Sequence, residues 1–226
     1  KEHMDMIKAC TDKFKKEKML SWLYDEDRWP SGAAGGYVTK EIKYRSRSLI
    51  FSVKDVPEDE FNSLIACYEV CLSEDGYLTS YARINKDEKV RENGTKWYAY
   101  QRIAKGPDSW YNGQTYVDTM NEEAIKKFID ITYGAYEKKV GKDFGKTIPA
   151  IFSDEPNFGD KKLLAFSHDK DDIRYPWTAK LTKTYKKYYG EDILDYLPEV
   201  FWELPDGKVS VHRYRLHDVI TEMFAA

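Results

Sequence analysis

The sequence Thr147-Ile-Pro-Ala-Ile-Phe-Ser-Asp-Glu-Pro156 decides the expected fold. The stretch from Ile148 to Phe152 is short, apolar and β-branched, so we predict a strand buried on both faces. The strand leads directly into Asp154 and Glu155, and carboxylates at a strand end are unfavourable unless they are paired or used. Glu155 is therefore the first candidate catalytic residue. The alternative is a helix cap or an ion pair at an ordinary strand end.

A second predicted strand, Met19 to Tyr24, also ends in acidic residues. The loop that follows reads Asp25-Glu26-Asp27-Arg28-Trp29-Pro30-Ser31-Gly32, with Gly35-Gly36 behind it. Carboxylates, a guanidinium and an indole, beside glycines that permit close backbone approach, indicate a loop that faces a ligand. The alternative is a turn in which Asp and Gly only supply the geometry.

A third candidate binding segment, Gly106 to Gly113, combines polar and aromatic residues in a loop. Its candidate ligand contacts are Trp110, Tyr111 and Asn112.

The middle of the chain has a different pattern from its two ends. Residues 37–95 show strand alternation and hairpin turns at Asp75-Gly76 and Asn93-Gly94, so we expect an antiparallel β insertion there. Outside it, predicted strands alternate with amphipathic helices, of which Glu122 to Val140 is the clearest. Alternation of this kind predicts parallel strands with right-handed crossovers. The expected fold class is therefore α/β: a partial TIM-type (β/α) barrel over residues 1–226, with 37–95 as its insertion.

Composition excludes several classes of protein. The 226 residues carry a net charge of −3, which gives no electrostatic basis for binding nucleic acid or an anionic membrane. No apolar run approaches the roughly 20 residues of a membrane span, and no signal peptide is visible. The sequence begins with Lys1 and not with Met, so we expect that upstream residues have been removed. We therefore make no prediction of the cellular compartment. Its three cysteines lack the spacing of a disulfide framework and are expected to be buried free thiols.

Two of these motifs resemble those of large bacterial glycoside hydrolases similar to the α-L-rhamnosidase family. They are Trp22 to Gly32, with the glycines behind it, and Phe144-Gly145-Lys146-Thr147 leading into Ile151 to Pro156. The resemblance implies that the chain is a fragment of a (β/α)8 catalytic domain, with Met19 to Tyr24, Trp97 to Ala104 and Ile148 to Phe152 as its second, third and fourth strands. It also implies that an acid/base glutamate follows the fourth strand, although Asp154 stands where the wider clan usually has Asn. The nucleophile of the clan would lie on a seventh strand that this chain lacks.

The chemistry expected from the carboxylates is glycosidic bond cleavage. One carboxyl protonates the leaving oxygen and a second attacks or activates water, so Glu155 and Asp154 are the catalytic candidates. Asp25, Glu26, Asp27 and Arg28, with Trp29 and the three residues of the third loop, would hold the sugar.

The alternatives are a non-catalytic carbohydrate-binding piece, or a divalent-cation-dependent hydrolase in which Asp25, Glu26 and Asp27 hold calcium or magnesium. The expected partners are a glycoside, the rest of the parent chain and, through bare barrel edges, a second copy. We expect no cofactor apart from the calcium of that alternative, and no activity from the fragment alone.

Overall fold

We describe residues 2–226 from a computed structural model. The helices and strands, in chain order, are α1 (Glu2–Lys16), β1 (Leu23–Tyr24), β2 (Arg47–Ser52), β3 (Asn62–Leu72), β4 (Leu78–Ile84), β5 (Thr95–Ile103), α2 (Glu122–Val140), β6 (Ile151–Phe152), β7 (Ile173–Trp177), α3 (Leu181–Tyr189), α4 (Leu197–Phe201) and α5 (Val211–Ala225). Short 3₁₀ helices cover Ile42–Tyr44, Gly141–Asp143, Ile193–Asp195 and Pro205–Gly207.

The chain forms two compact units, each built from two separate segments. Unit 1 comprises residues 2–45 and Lys105–Asn157, and unit 2 comprises Ser46–Ala104 and Phe158–Ala226. Unit 1 contains a two-stranded parallel sheet of β1 and β6 with helices α1 and α2. Unit 2 contains a five-stranded antiparallel sheet in the order β4-β3-β5-β2-β7, together with α3, α4 and α5.

The predicted partial barrel is wrong. Over residues 2–226 the strands form a five-stranded antiparallel sheet and a two-stranded parallel one, with no closed barrel and no β/α repeat. The segment Trp97 to Ala104, expected as the third barrel strand, belongs largely to β5, which pairs antiparallel with both β2 and β3. Alternation of predicted strands and helices does not determine which strands pair, and here the long strands pair with antiparallel neighbours.

Several local predictions about the elements are confirmed. Helix α2 spans Glu122–Val140, and the side chain of Asn121 accepts a hydrogen bond from the Glu123 N–H. Strands β3 and β4 pair antiparallel across the Asp75-Gly76 turn. By contrast, the Asn93-Gly94 turn does not join a hairpin, because β5 crosses to the far side of β3.

Unit 1 packs around two small groups of buried side chains. One group, next to the parallel sheet, consists of Leu23, Tyr136, Val140 and Ile148, with Met4, Ile7 and Ile151 against it. The other consists of Ala34, Val38, Tyr44, Tyr116, Val117, Ala124 and Phe128. Cys10 on α1 is exposed, whereas Cys67 and Cys71 are buried free thiols, so the cysteine prediction is confirmed for two of the three.

Unit 2 has an aromatic core centred on Phe51 of β2. Its ring lies 5.3 Å from that of Trp97 and 5.0 Å from that of Phe201, measured between centroids. Leu49 to Ser52 of β2 are all buried, so neither face of this strand is left to solvent.

Candidate functional site

The two acidic strand ends lie together in unit 1. Strands β1 and β6 run parallel, with Leu23 opposite Ile151 and Tyr24 opposite Phe152, so the chain leaves both at the same end. Beyond the strands, the Ser31 N–H donates to the Asp154 carbonyl at 2.9 Å, and the Asp154 N–H donates to Ser31 Oγ at 2.8 Å. The parallel pairing and the shared edge are thus confirmed. We call Asp25, Glu26, Asp27, Asp154 and Glu155 the carboxylate rim.

Tyr24 joins the two sides of the carboxylate rim. Its hydroxyl lies 2.6 Å from Asp154 Oδ2 and also contacts Glu26 Oε2. These hydrogen bonds, that to Asp154 first, raise the pKa of the phenol well above its usual range. A hydroxyl carries a single proton, so it can donate to only one carboxylate at a time. Tyr24 therefore holds two acidic side chains close together at the solvent-exposed surface of unit 1.

The sequence pattern predicts Tyr24 only as the last residue of a strand and does not reveal this contact. Leu23 is 5% exposed, but Trp22 and Tyr24 are 62% and 43% exposed, so the segment has one buried face and one open face. The alternation of aromatic with smaller residues in Ser21-Trp22-Leu23-Tyr24 is the signal that could have found it.

Glu155 stands at the outer part of the carboxylate rim. Its side chain is exposed, and its Oε2 accepts a hydrogen bond of 3.3 Å from the Trp29 indole N–H. The sequence predicted a strand buried on both faces before this carboxyl, and that expectation is wrong, since Phe152 is 49% exposed. The backbone of Glu155 has φ of +41°, a region that non-glycine residues seldom adopt. Strain of this kind concentrates at functional sites.

Asp25 has a structural position. It is 4% exposed and accepts hydrogen bonds from Ser31 Oγ at 2.7 Å and from the Tyr133 hydroxyl at 2.6 Å. Burial, and then the bond to Asp25, raise the pKa of Tyr133. Of the three acids in the loop, Asp25 thus anchors the loop inside unit 1. Glu26 and Asp27 remain accessible for a ligand.

The predicted third loop joins the acidic loop. The Trp110 indole N–H donates to the Trp29 carbonyl at 2.7 Å, and Asn112 Nδ2 donates to Asp27 Oδ2 at 3.0 Å. Trp29 and Trp110 are 47% and 52% exposed. Two half-exposed indoles therefore stand beside the carboxylate rim.

The remaining two predicted binding residues are placed differently. Arg28 is exposed and its Nη1 donates to the neighbouring Asp27 carbonyl at 3.2 Å. Tyr111 is half-buried with its ring 5.5 Å from that of Tyr116, so it supports the loop more than it offers a surface.

Metal binding was the chemical alternative for these acids. Among residues 2–226, no group of three or more His, Cys, Asp or Glu is arranged to hold a metal ion. The hydrogen bonds of the carboxylate rim instead go to hydroxyl, indole and amide groups.

Two further findings bear on the class of the protein. In the part of the chain that is described, no helix has both the length and the apolar character of a membrane span. Comparison with protein-family models, with curated proteins and with solved structures finds no match to this chain. The resemblance to the α-L-rhamnosidase-like hydrolases therefore stays a prediction from its two motifs.

Proposed function

We propose that unit 1 binds carbohydrate at the carboxylate rim. The observation that carries this proposal is the pair of half-exposed indoles, Trp29 and Trp110, hydrogen-bonded into the same loops as Glu155 and Asp27. A sugar presents an apolar face of C–H groups and an edge of hydroxyls. An aromatic surface packs against the first, and carboxylates accept hydrogen bonds from the second.

Saccharide binding is tested with the whole chain on a panel of neutral oligosaccharides, followed by calorimetric titration of those retained. Trp29→Ala and Trp110→Ala should each lower affinity about tenfold or more, since truncating a central aromatic contact commonly costs more than about 1 kcal/mol. Tyr188→Ala is the matched control, because Tyr188 is 48% exposed and lies in unit 2. Equal losses in all three variants, or no binding to the panel, would count against the proposal.

Glycoside cleavage is the second candidate, and the strained backbone of Glu155 favours it. In this arrangement Glu155 is the general acid/base. Asp154 and Glu26, which converge on the Tyr24 hydroxyl, are the candidates for the second carboxylate that the reaction requires.

Cleavage is tested with Glu155→Gln in the longer parent chain that the resemblance implies, since no activity is expected from the fragment alone. This variant keeps the shape of the side chain but removes the proton donor. The rate on a natural glycoside should fall by about 10² to 10⁴, and much less on an activated aryl glycoside whose leaving oxygen needs little protonation. Glu92→Gln, at an exposed position in unit 2, is the control and should leave both rates unchanged. Full activity of Glu155→Gln on the natural glycoside would remove Glu155 from the chemistry while leaving the binding proposal intact.

A further inference from the structure

Strand β1 has one edge that no other strand covers. On its paired edge, three alternate residues donate their N–H groups to backbone carbonyls of residues 147–152 at 2.8 to 3.2 Å: Ser21, Leu23 and Asp25. Because alternate residues of a strand direct their backbone groups to opposite edges, Trp22 and Tyr24 direct theirs away from β6. Among residues 2–226, the N–H and carbonyl of Trp22 and the N–H of Tyr24 have no hydrogen-bond partner, whereas the Tyr24 carbonyl accepts from the Tyr136 hydroxyl at 2.6 Å. Two backbone donors and one acceptor are thus available along this edge.

A cavity of about 780 Å³ lies along the free edge of β1. Its lining includes every residue from Ser21 to Asp27 and none from β6. Helices α1 and α2 form its other walls, through Met4, Ile7, Thr11 and Phe14 at helical spacing on α1 and through Ile131, Thr132 and Tyr136 on α2. The Trp22 side chain is 62% exposed, so its ring offers a face for contact. At roughly 30 Å³ for each water-sized group, the cavity holds about 26 such groups, close to the number of non-hydrogen atoms in three peptide residues.

The end of the cavity beyond β1 is acidic. Glu26 and Asp27 line it, and no lysine or arginine is part of the lining. Their side chains accept hydrogen bonds from the Tyr24 hydroxyl and the Asn112 amide, which are neutral groups and do not compensate the charge of a carboxylate. This end of the cavity therefore favours a positively charged group.

Two cations approach the lining from outside it. Arg28 Nη1 donates to the Asp27 carbonyl at 3.2 Å, and the Lys40 ammonium lies 4.4 Å from the centre of the Tyr37 ring. Both side chains are exposed, whereas Glu26 is half-buried. Because solvent and salt screen exposed charges more than partly buried ones, the carboxylates determine the charge inside the cavity.

We propose that the free edge of β1 binds an extended peptide that carries lysine or arginine side chains. Carbonyls of the peptide accept hydrogen bonds from the Trp22 and Tyr24 N–H groups, and one of its N–H groups donates to the Trp22 carbonyl. A basic side chain of the peptide reaches Glu26. Strand addition of this kind takes its affinity from the main chain and its specificity from alternate side chains. Trp29 and Trp110 do not line the cavity, so this proposal does not depend on carbohydrate binding, although both proposals use Glu26.

The experiment compares three peptides with acetylated N-termini and amidated C-termini. They are Val-Lys-Val-Lys-Val, Val-Glu-Val-Glu-Val, and the lysine peptide with its three central amides methylated, which keeps the charge but cannot pair as a strand. The whole chain is titrated at pH 7.5, where an ordinary histidine is largely neutral, because His3 is part of the lining.

Binding is followed through backbone amide signals in two-dimensional NMR spectra. The lysine peptide should shift the Trp22 and Tyr24 amide protons in a saturable manner, with less effect on the Leu23 amide, which is already hydrogen-bonded. It should bind about tenfold or more tightly than the glutamate peptide, and the methylated peptide should lose binding.

Two further measurements test the charge and the place of binding. Glu26→Gln keeps an acceptor for the Tyr24 hydroxyl and should weaken the lysine peptide about two- to fivefold, as expected for a partly exposed ion pair. Glu137→Gln, at an exposed position of α2, is the matched control and should not. Cys10 lines the cavity and is exposed, so the lysine peptide should slow its alkylation by N-ethylmaleimide.

The proposal is overturned if the methylated and unmethylated lysine peptides bind equally, if the lysine and glutamate peptides bind equally, or if the Trp22 and Tyr24 amides do not respond. A chain that dimerises through β1 in sedimentation and excludes the peptide would also overturn it, because a second copy would then occupy the edge.

Discussion

The sheets of the two units differ in where they place the aromatic side chains of paired strands. In the sheet of unit 2, Phe51 of β2 and Trp97 of β5 are at most 2% exposed, and their rings pack against each other. In unit 1 the sheet has only two residues in each strand, and Tyr24 and Phe152 on it are 43% and 49% exposed. An aromatic-rich composition therefore does not separate core from binding surface. The difference between core and surface rings here is whether other side chains pack on them, as Phe201 and Trp202 do on Phe51.

The largest effect is expected when a phenylalanine is replaced by alanine in each of the two sheets. Phe51→Ala removes a fully buried ring and should lower the free energy of unfolding of unit 2 by about 3 to 5 kcal/mol. Phe152→Ala removes a half-exposed ring and should cost less than about 1 kcal/mol. Both are measured by urea unfolding at equilibrium. Similar losses for the two variants would show that the exposed ring of unit 1 carries as much packing as the buried one.

A second test concerns the buried carboxylate of unit 1. Asp25→Ala leaves the Tyr133 and Ser31 hydroxyls without their acceptor, which should cost about 1 to 3 kcal/mol. Asp27→Ala, at an exposed position in the same loop, should cost about 0.5 kcal/mol or less. The comparison is made by urea unfolding, with Asp25→Asn as the variant that keeps part of the hydrogen bonding. Equal stability of the two alanine variants would contradict an anchoring role for Asp25.

The helix caps should behave alike in the two units. Asn121 accepts from the Glu123 N–H at 3.1 Å in unit 1, and Ser210 accepts from the Arg213 N–H at 3.3 Å in unit 2. Alanine at either position should lower the free energy of unfolding by about 1 kcal/mol. Asn121→Asp and Ser210→Thr keep the acceptor and should recover most of the loss in thermal unfolding. A loss of stability in only one of the two alanine variants would contradict this prediction.

The smallest effect is a dependence on pH confined to unit 2. Burial lowers the pKa of His212, whose Nδ1 lies 3.0 Å from the Tyr185 hydroxyl and whose ring stacks on Tyr196. As the pH falls, the unfolded chain therefore protonates this histidine at a higher pH than the folded chain does. The contribution of His212 to the free energy of unfolding is complete above the ordinary pKa of 6.5 and declines as the pH falls below that value. Thermal unfolding from pH 7.5 to 5 should show a shallower decline in His212→Gln than in the unaltered protein, and equal declines in the two proteins would contradict this prediction.

The sequence predicted local elements better than their pairing. Helix α2 and its Asn121 cap depend on neighbouring residues, and so does the Asp75-Gly76 hairpin turn, so a local pattern is enough to find them. The partner of β5 is not local: it lies between β3 and β2, and a strand pattern carries no information about that choice. The barrel prediction was wrong for this reason.

The candidate site shows the same division. Parallel pairing of the two acidic strand ends was predicted and is present. The burial of Asp25 and the exposure of Glu155 could not be predicted, since they depend on Tyr133 and on a backbone with positive φ. Self-association through uncovered sheet edges stays a prediction.

The pairing of β1 with β6, in which Leu23 lies opposite Ile151, also affects when unit 1 can fold during synthesis. A ribosome delivers the chain from its N-terminus, so Met19, Leu20 and Trp22 emerge long before the strand that pairs with their segment. All of β2 to β5 is synthesised in the interval, and those strands find partners among themselves sooner. Unit 1 is therefore completed only after the first segment of unit 2 has left the ribosome. Until then, β1 stays without the strand with which it pairs.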